Sequence, residues 1–151
     1  MTLTDLALAA GFAITVFAIF ALHRGFFFLR VAGPSMEPAL RAGDRLLVGR
    51  FGVDRPRRGR IYVVAEDDST LTVKRAAAVP GDPVPASVAG LAGDPYVSAV
   101  VPAVVPAGRL VLLGDNRARS LDTRSLGYYR ADRLRGTVVS GPRGKLLAWR
   151  R

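Results

Sequence analysis

From Leu3 to Leu22 the chain is apolar at nearly every position, interrupted by Thr4, Asp5 and Thr15. An amphipathic helix keeps a polar face and a half-buried strand alternates; this segment does neither. As a helix it would rise about 30 Å, roughly the thickness of a bilayer's hydrocarbon core. It lacks the basic leader of a cleaved secretory signal and runs longer than the apolar core of one. The pattern therefore predicts an uncleaved membrane anchor over residues 1–25. The next residues, Phe26-Phe27-Phe28-Leu29, either continue into the membrane interface or begin a buried strand.

Beyond the anchor the pattern changes. Short apolar runs bounded by Gly, Pro and Asp fall at 27–31, 45–51, 60–65, 71–79, 109–113 and 136–139, and each reads as a strand. No later segment carries a long helical period. Residues 26–151 thus read as one mainly β domain. The stretch from Pro80 to Gly108 is rich in Pro, Gly, Ala and Val, and reads as irregular chain with one or two short strands.

Composition narrows the chemistry. The chain has no cysteine, which excludes a thiol nucleophile, disulfides and zinc-thiolate sites. Its one histidine, His23, adjoins the apolar segment. A Ser-His-Asp triad and a multi-histidine metal site are therefore not expected, and no cofactor or metal is called for. Hydrolytic chemistry would have to come from Ser, Thr, Lys, Asp or Glu.

All 22 basic residues follow His23, and the net charge is +10. Such a surface is drawn to anionic lipid headgroups or nucleic acid. No nucleic-acid motif or interleaved aromatic platform is present, so membrane lipid is the expected partner. The cluster Arg55-Pro56-Arg57-Arg58-Gly59-Arg60 reads as a solvated loop.

Nearly all of the basic residues are arginine; the lysines are Lys74 and Lys145. Arginine keeps its proton in a protein, whereas a buried lysine can release it. Lys74 stands in the apolar run 71–79. It is either a lysine on a strand's wet face or a candidate general base. Ser35 lies between Pro34 and Pro38, two residues after Gly33. Proline stiffens that backbone, which suits either an ordinary loop or the mount of a nucleophile.

Three segments together separate these readings. They are GPSMEPAL with the following Gly43-Asp44, VKRAAAVPGD from Val73 to Asp82, and GDNRARSLDTR from Gly114 to Arg124. In this order, downstream of an anchor, they resemble the type I signal peptidase family of membrane-anchored serine proteases with a Ser-Lys dyad. The run Val105–Leu113 also resembles the family's approach to its GDN box, and the likeness covers roughly residues 31–140.

The resemblance implies a signal-peptidase-like β domain of short, coiled strands. It implies Ser35 as nucleophile, Lys74 as general base and Ser120 as the hydroxyl that orients the lysine. Asp122 and Arg124 match a pair that supports the site. The oxyanion hole falls to the backbone N–H of Ser35 with help from the backbone near Gly33, where some relatives carry a serine. Met36 reads as a packing residue. The implied substrates are signal peptides of exported preproteins with small residues before the cleavage site. A protease specialised for one secreted protein or pilin uses the same dyad. A reading of another class is an inactive, membrane-tethered β domain that binds anionic lipid or a protein partner. The oligomeric state is left open. The implied location is the cell membrane, single-pass, with the catalytic domain extracytoplasmic. The charge pattern points the other way, because nothing basic precedes the apolar segment while Arg24 and Arg30 follow it.

Overall fold

The computed structural model describes residues 2–88 and 104–142. It opens with helix α1, Leu3–Gly25. The window Ala7–Gly25 is long and apolar enough to cross a membrane, and none of it is buried against the rest of the chain. A helix that buries no apolar face in its own protein needs another apolar medium, and a bilayer supplies one.

The rest is mainly β. The strands are β1 Phe26–Arg30, β2 Arg45–Gly49, β3 Ile61–Ala65, β4 Leu71–Ala78, β5 Arg109–Leu113, β6 Tyr129–Arg130 and β7 Leu134–Ser140, with a one-turn helix α2 at Thr123–Leu126 between β5 and β6. They form one sheet in the order β1-β2-β7-β3-β4-β5-β6. All neighbours pair antiparallel. The register slips at Leu47/Val48, Val63/Val64 and Ala76/Ala78. Such bulges bend strands and sharpen the local twist. The expected strands are found within a few residues of their bounds, and Phe26–Arg30 settles as strand. Between Pro80 and Gly108 a bridge pairs Pro83 with Val104. Residues 89–103 and Lys145 lie outside the described residues.

Central strand β3 explains its own sequence. Every residue of Ile61–Ala65 is buried. Ile61 and Val63 join one apolar cluster with Val31, Met36, Leu40, Leu46, Val48, Val73 and Val138. Tyr62 and Val64 join another with Ala76, Leu110, Leu112, Tyr129 and Leu134. Side chains alternate along a strand, so a strand covered on both faces loses the polar-apolar alternation. Lys74 of β4 pairs with Tyr62, which puts it on the second of these faces, inside the fold.

The loop between β1 and β2 is fastened at its base. Val31 N–H donates to Asp44 O at 2.9 Å, and Gly43 N–H donates to Val31 O at 2.7 Å. Gly43 has φ of 93°, a left-handed backbone that favours glycine. Inside the loop Met36 and Leu40 are 1% and 0% exposed, and they anchor the turn that carries Ser35. Truncating such a buried leucine costs about 2–5 kcal/mol.

Candidate active site

Ser35 is half-buried in a turn held by Glu37 N–H donating to Pro34 O and Leu40 N–H donating to Met36 O. Its carbonyl accepts the Asn116 N–H at 2.9 Å, which ties the first sequence box to the third. Its own N–H and hydroxyl make no hydrogen bond among the described residues. Gly33 is also half-buried, and a Cβ there would meet open space.

Gly114 is the pivot. A Cβ on it would collide with the Ser120 side chain and lie 2.6 Å from the Ser35 carbonyl oxygen. Only a residue without a side chain lets these two serines approach the same point.

The Lys74 side chain reaches Ser120, with Nζ donating to Oγ at 3.1 Å. Lys74 is 4% exposed. Burial is the main influence on its amine and pushes its pKa below the usual lysine value. The Asp122 and Glu66 carboxylates oppose that shift, and Arg124 adds to it. Arg75, the next residue, is turned away. Its guanidinium makes two bonds to the Asp115 carboxylate, at 2.8 and 2.7 Å, and one to the Gly59 carbonyl at 3.0 Å.

Asp122 is fully buried and caps α2. It accepts from Gly114 N–H at 2.9 Å, from Arg124 N–H at 3.1 Å and from the Arg124 guanidinium at 2.9 and 2.5 Å. Burial alone would raise its carboxyl pKa. The bonds from Arg124, Gly114 and Ser120 outweigh burial and hold it below the usual range. Beside it, the buried Thr123 hydroxyl accepts Leu112 N–H at 2.9 Å and fixes the segment to β5.

The structure thus brings Ser35, Lys74, Ser120, Asp122 and Arg124 into one contiguous region, while Gly33 is linked to it only through the chain, two residues before Ser35. Three participants escaped sequence reasoning. Gly114 has no side chain to attract notice. Asp115 reads as a turn residue, yet it holds Arg75. Glu66 accepts from the Thr72 hydroxyl at 2.8 Å and the Tyr129 hydroxyl at 3.0 Å. Burial and the Glu66 carboxylate push the Tyr129 phenol well above its usual pKa. Among the described residues no group of His, Asp and Glu is arranged to hold a metal ion.

Comparison with known proteins defines the class. The model of the family described as "Signal peptidase, peptidase S26" matches residues 3–94 and 87–140. Signal peptidase I T of Bacillus subtilis (strain 168) is 32% identical over 162 aligned positions, covering 89% of this chain and 84% of that relative. Signal peptidase I of Bacillus licheniformis is 33% identical over 132 positions, covering 71% of each chain. Signal peptidase I P of Bacillus subtilis subsp. natto is 32% identical over 160 positions, covering 84% of this chain and 83% of the relative. The chain belongs to the peptidase S26 family, the signal peptidases.

Proposed function

We propose that this chain is a serine endopeptidase that removes amino-terminal signal peptides from exported preproteins at the membrane surface. Ser35 is the nucleophile and Lys74 the general base. The observation that carries this reading is the buried Lys74 amine, whose charged form is disfavoured, bonded to Ser120 at a point that Gly114 also opens to Ser35.

A serine hydroxyl attacks poorly until a neighbour removes its proton. Neutral Lys74 uses one N–H to donate to Ser120, which leaves its lone pair for the Ser35 proton. As Ser35 Oγ bonds to the scissile carbonyl carbon, its proton passes to Nζ. The carbonyl oxygen becomes an oxyanion within reach of the free Ser35 N–H. Breakdown sends the Nζ proton to the departing amine and leaves an ester on Ser35. Water then gives a proton to Lys74 and attacks the ester, and that proton passes from Nζ to Ser35 Oγ as the signal peptide leaves.

In this reading the substrates carry small residues before the cleavage site, where larger side chains would clash with a shallow apolar pocket. Helix α1 tethers the site to the bilayer, where a signal peptide is also held, and raises its effective concentration. The catalytic domain, residues 26–151, lies on the extracytoplasmic side in this reading; a long domain translocates despite the flanking arginines.

The test is cleavage of a preprotein by the full chain reconstituted in vesicles, with the new amino terminus read by mass spectrometry. Wild type is expected to cut after a small residue. Ser35→Ala is expected to leave the preprotein intact, and undiminished cutting by Ser35→Ala contradicts the assignment.

A further inference from the structure

A cavity of about 340 Å³ opens beside the loop after β2, with Phe51, Arg55, Arg57, Arg60, Tyr62 and Thr137 in its wall. Its neutral polar groups are already used. The Tyr62 hydroxyl accepts from Arg57 N–H at 2.8 Å, and the Thr137 hydroxyl donates to the Phe51 carbonyl at 3.0 Å. The guanidinium groups are not. Among the described residues, the side chains of Arg55, Arg57 and Arg60 take part in no ion pair or hydrogen bond. The neighbouring acid, Asp54, pairs with none of them.

A solvated basic loop needs no concavity. Here like charges converge on one, and a cleft lined by a single sign of charge concentrates ions of the other sign. The planar guanidinium fork matches phosphate oxygens in pairs. The volume falls within the range of small-ligand sites, about 300–1,000 Å³.

The cavity's position selects among phosphates. The Phe51 ring meets the Phe26 ring edge-on, with centroids 5.5 Å apart. Arg50 N–H donates at 2.8 Å to the carbonyl of Gly25, the last residue of α1. No linker separates α1 from β1. The cavity wall is therefore fastened to the end of the membrane-spanning helix, at headgroup depth. A basic and aromatic band continues around that junction, with Arg24 over Phe20 at 4.7 Å, Arg50 over Phe27 at 4.8 Å and Arg45 over Phe28 at 5.6 Å. An arginine at the end of a span reaches its charged head to the membrane-water interface while its stem lies along apolar surface.

We propose that this arginine-lined cavity binds the phosphate headgroup of an anionic phospholipid and so fixes the catalytic domain against the bilayer. The loop that bears the arginines is bonded to the strand that bears Lys74. Gly59 N–H donates to Ala76 O at 2.7 Å, and Ala76 N–H donates to Arg60 O at 2.9 Å.

The proposal rests on α1 being a membrane span. That premise has its own check, namely whether the full chain stays with neutral phosphatidylcholine vesicles through an alkaline carbonate wash. For the cavity itself, the full chain in neutral detergent micelles is titrated with dihexanoyl phosphatidylglycerol, dihexanoyl phosphatidylcholine and inorganic phosphate, followed by calorimetry. Saturable binding of phosphatidylglycerol is expected. The variant Arg55→Gln/Arg57→Gln/Arg60→Gln should bind it at least about ten-fold more weakly, while the charge-matched Arg41→Gln/Arg133→Gln/Arg135→Gln stays within about two-fold of wild type. All six arginines are exposed, so both variants should melt like wild type. Equal losses in the two variants, or no loss in the first, would mean diffuse attraction and overturn the site. Equal affinity for phosphatidylcholine overturns the requirement for negative charge. Equal affinity for inorganic phosphate overturns the assignment to lipid.

Discussion

The Lys74 amine donates to the Ser120 hydroxyl at 3.1 Å across 46 positions of chain. In the proposed mechanism this bond holds the end of a long, flexible side chain where the Ser35 proton is taken. Ser120→Ala removes a single hydroxyl from a half-buried residue and should keep the fold. It should lower kcat about 100-fold, the scale at which misplacing a catalytic group by about 1 Å acts, with KM nearly unchanged. Steady-state kinetics on a preprotein or signal-peptide substrate check this, and an unchanged kcat would remove Ser120 from the mechanism.

Gly114→Ala tests the close approach directly. A methyl group there meets the Ser120 side chain and the Ser35 carbonyl. Overpacking of this kind costs about 1–3 kcal/mol. Because the clash parts the two serines, activity should fall further than stability, by about 100-fold in kcat. Chemical denaturation and kinetics on the same preparation separate the two effects.

These relationships differ in how far the sequence discloses them. The strands were legible because apolar runs between Gly, Pro and Asp mark them, and α1 because its run is unbroken. Strand β6 has two residues and α2 one turn, too short for any period to register. Asp122 could have been recognised as a helix cap from its residue type. The sheet order was not legible, since β7 inserts between β2 and β3 through contacts distant in sequence. The residues of the site came from three boxes that resemble a family. Their meeting, through Asn116 on Ser35 and Gly114 beside both serines, is a fact of three dimensions. The Arg75–Asp115 and Glu66–Tyr129 pairs were hidden for the same reason.

Asp122 links stability to acid. Its carboxyl is held below the ordinary value in the fold, so it contributes stability that is present above about pH 4, the unfolded pKa. That contribution is lost as pH falls through the lower, folded value. Asp122→Asn should cost about 3 kcal/mol at neutral pH, because it strips charge from a buried pair and leaves Arg124 without its partner. The variant should also show a flatter fall in stability on acidification. Urea melts across pH for both proteins measure the difference.

Lys74→Met should be inactive yet more stable than wild type by about 1 kcal/mol, since it replaces a buried amine with an apolar side chain of similar reach. The pKa of Lys74 is lowered in the fold, so the unfolded chain binds its proton more tightly, and stability rises with pH between the folded and unfolded values. The methionine variant should lose that rise. Thermal melts at neutral and alkaline pH read both effects, and a less stable methionine variant would contradict the buried-amine strain.

The pH dependence of kcat/KM for wild type beside Lys74→Arg bears most directly on the Ser35–Lys74 pairing. A lysine that acts as a neutral base gives activity that rises with pH through an apparent pKa below the ordinary value of about 10.4. Arginine keeps the positive charge but not the removable proton, so Lys74→Arg should stay at background across the range. Cleavage by Lys74→Arg at the wild-type rate, or a wild-type profile that does not change with pH, would contradict the dyad.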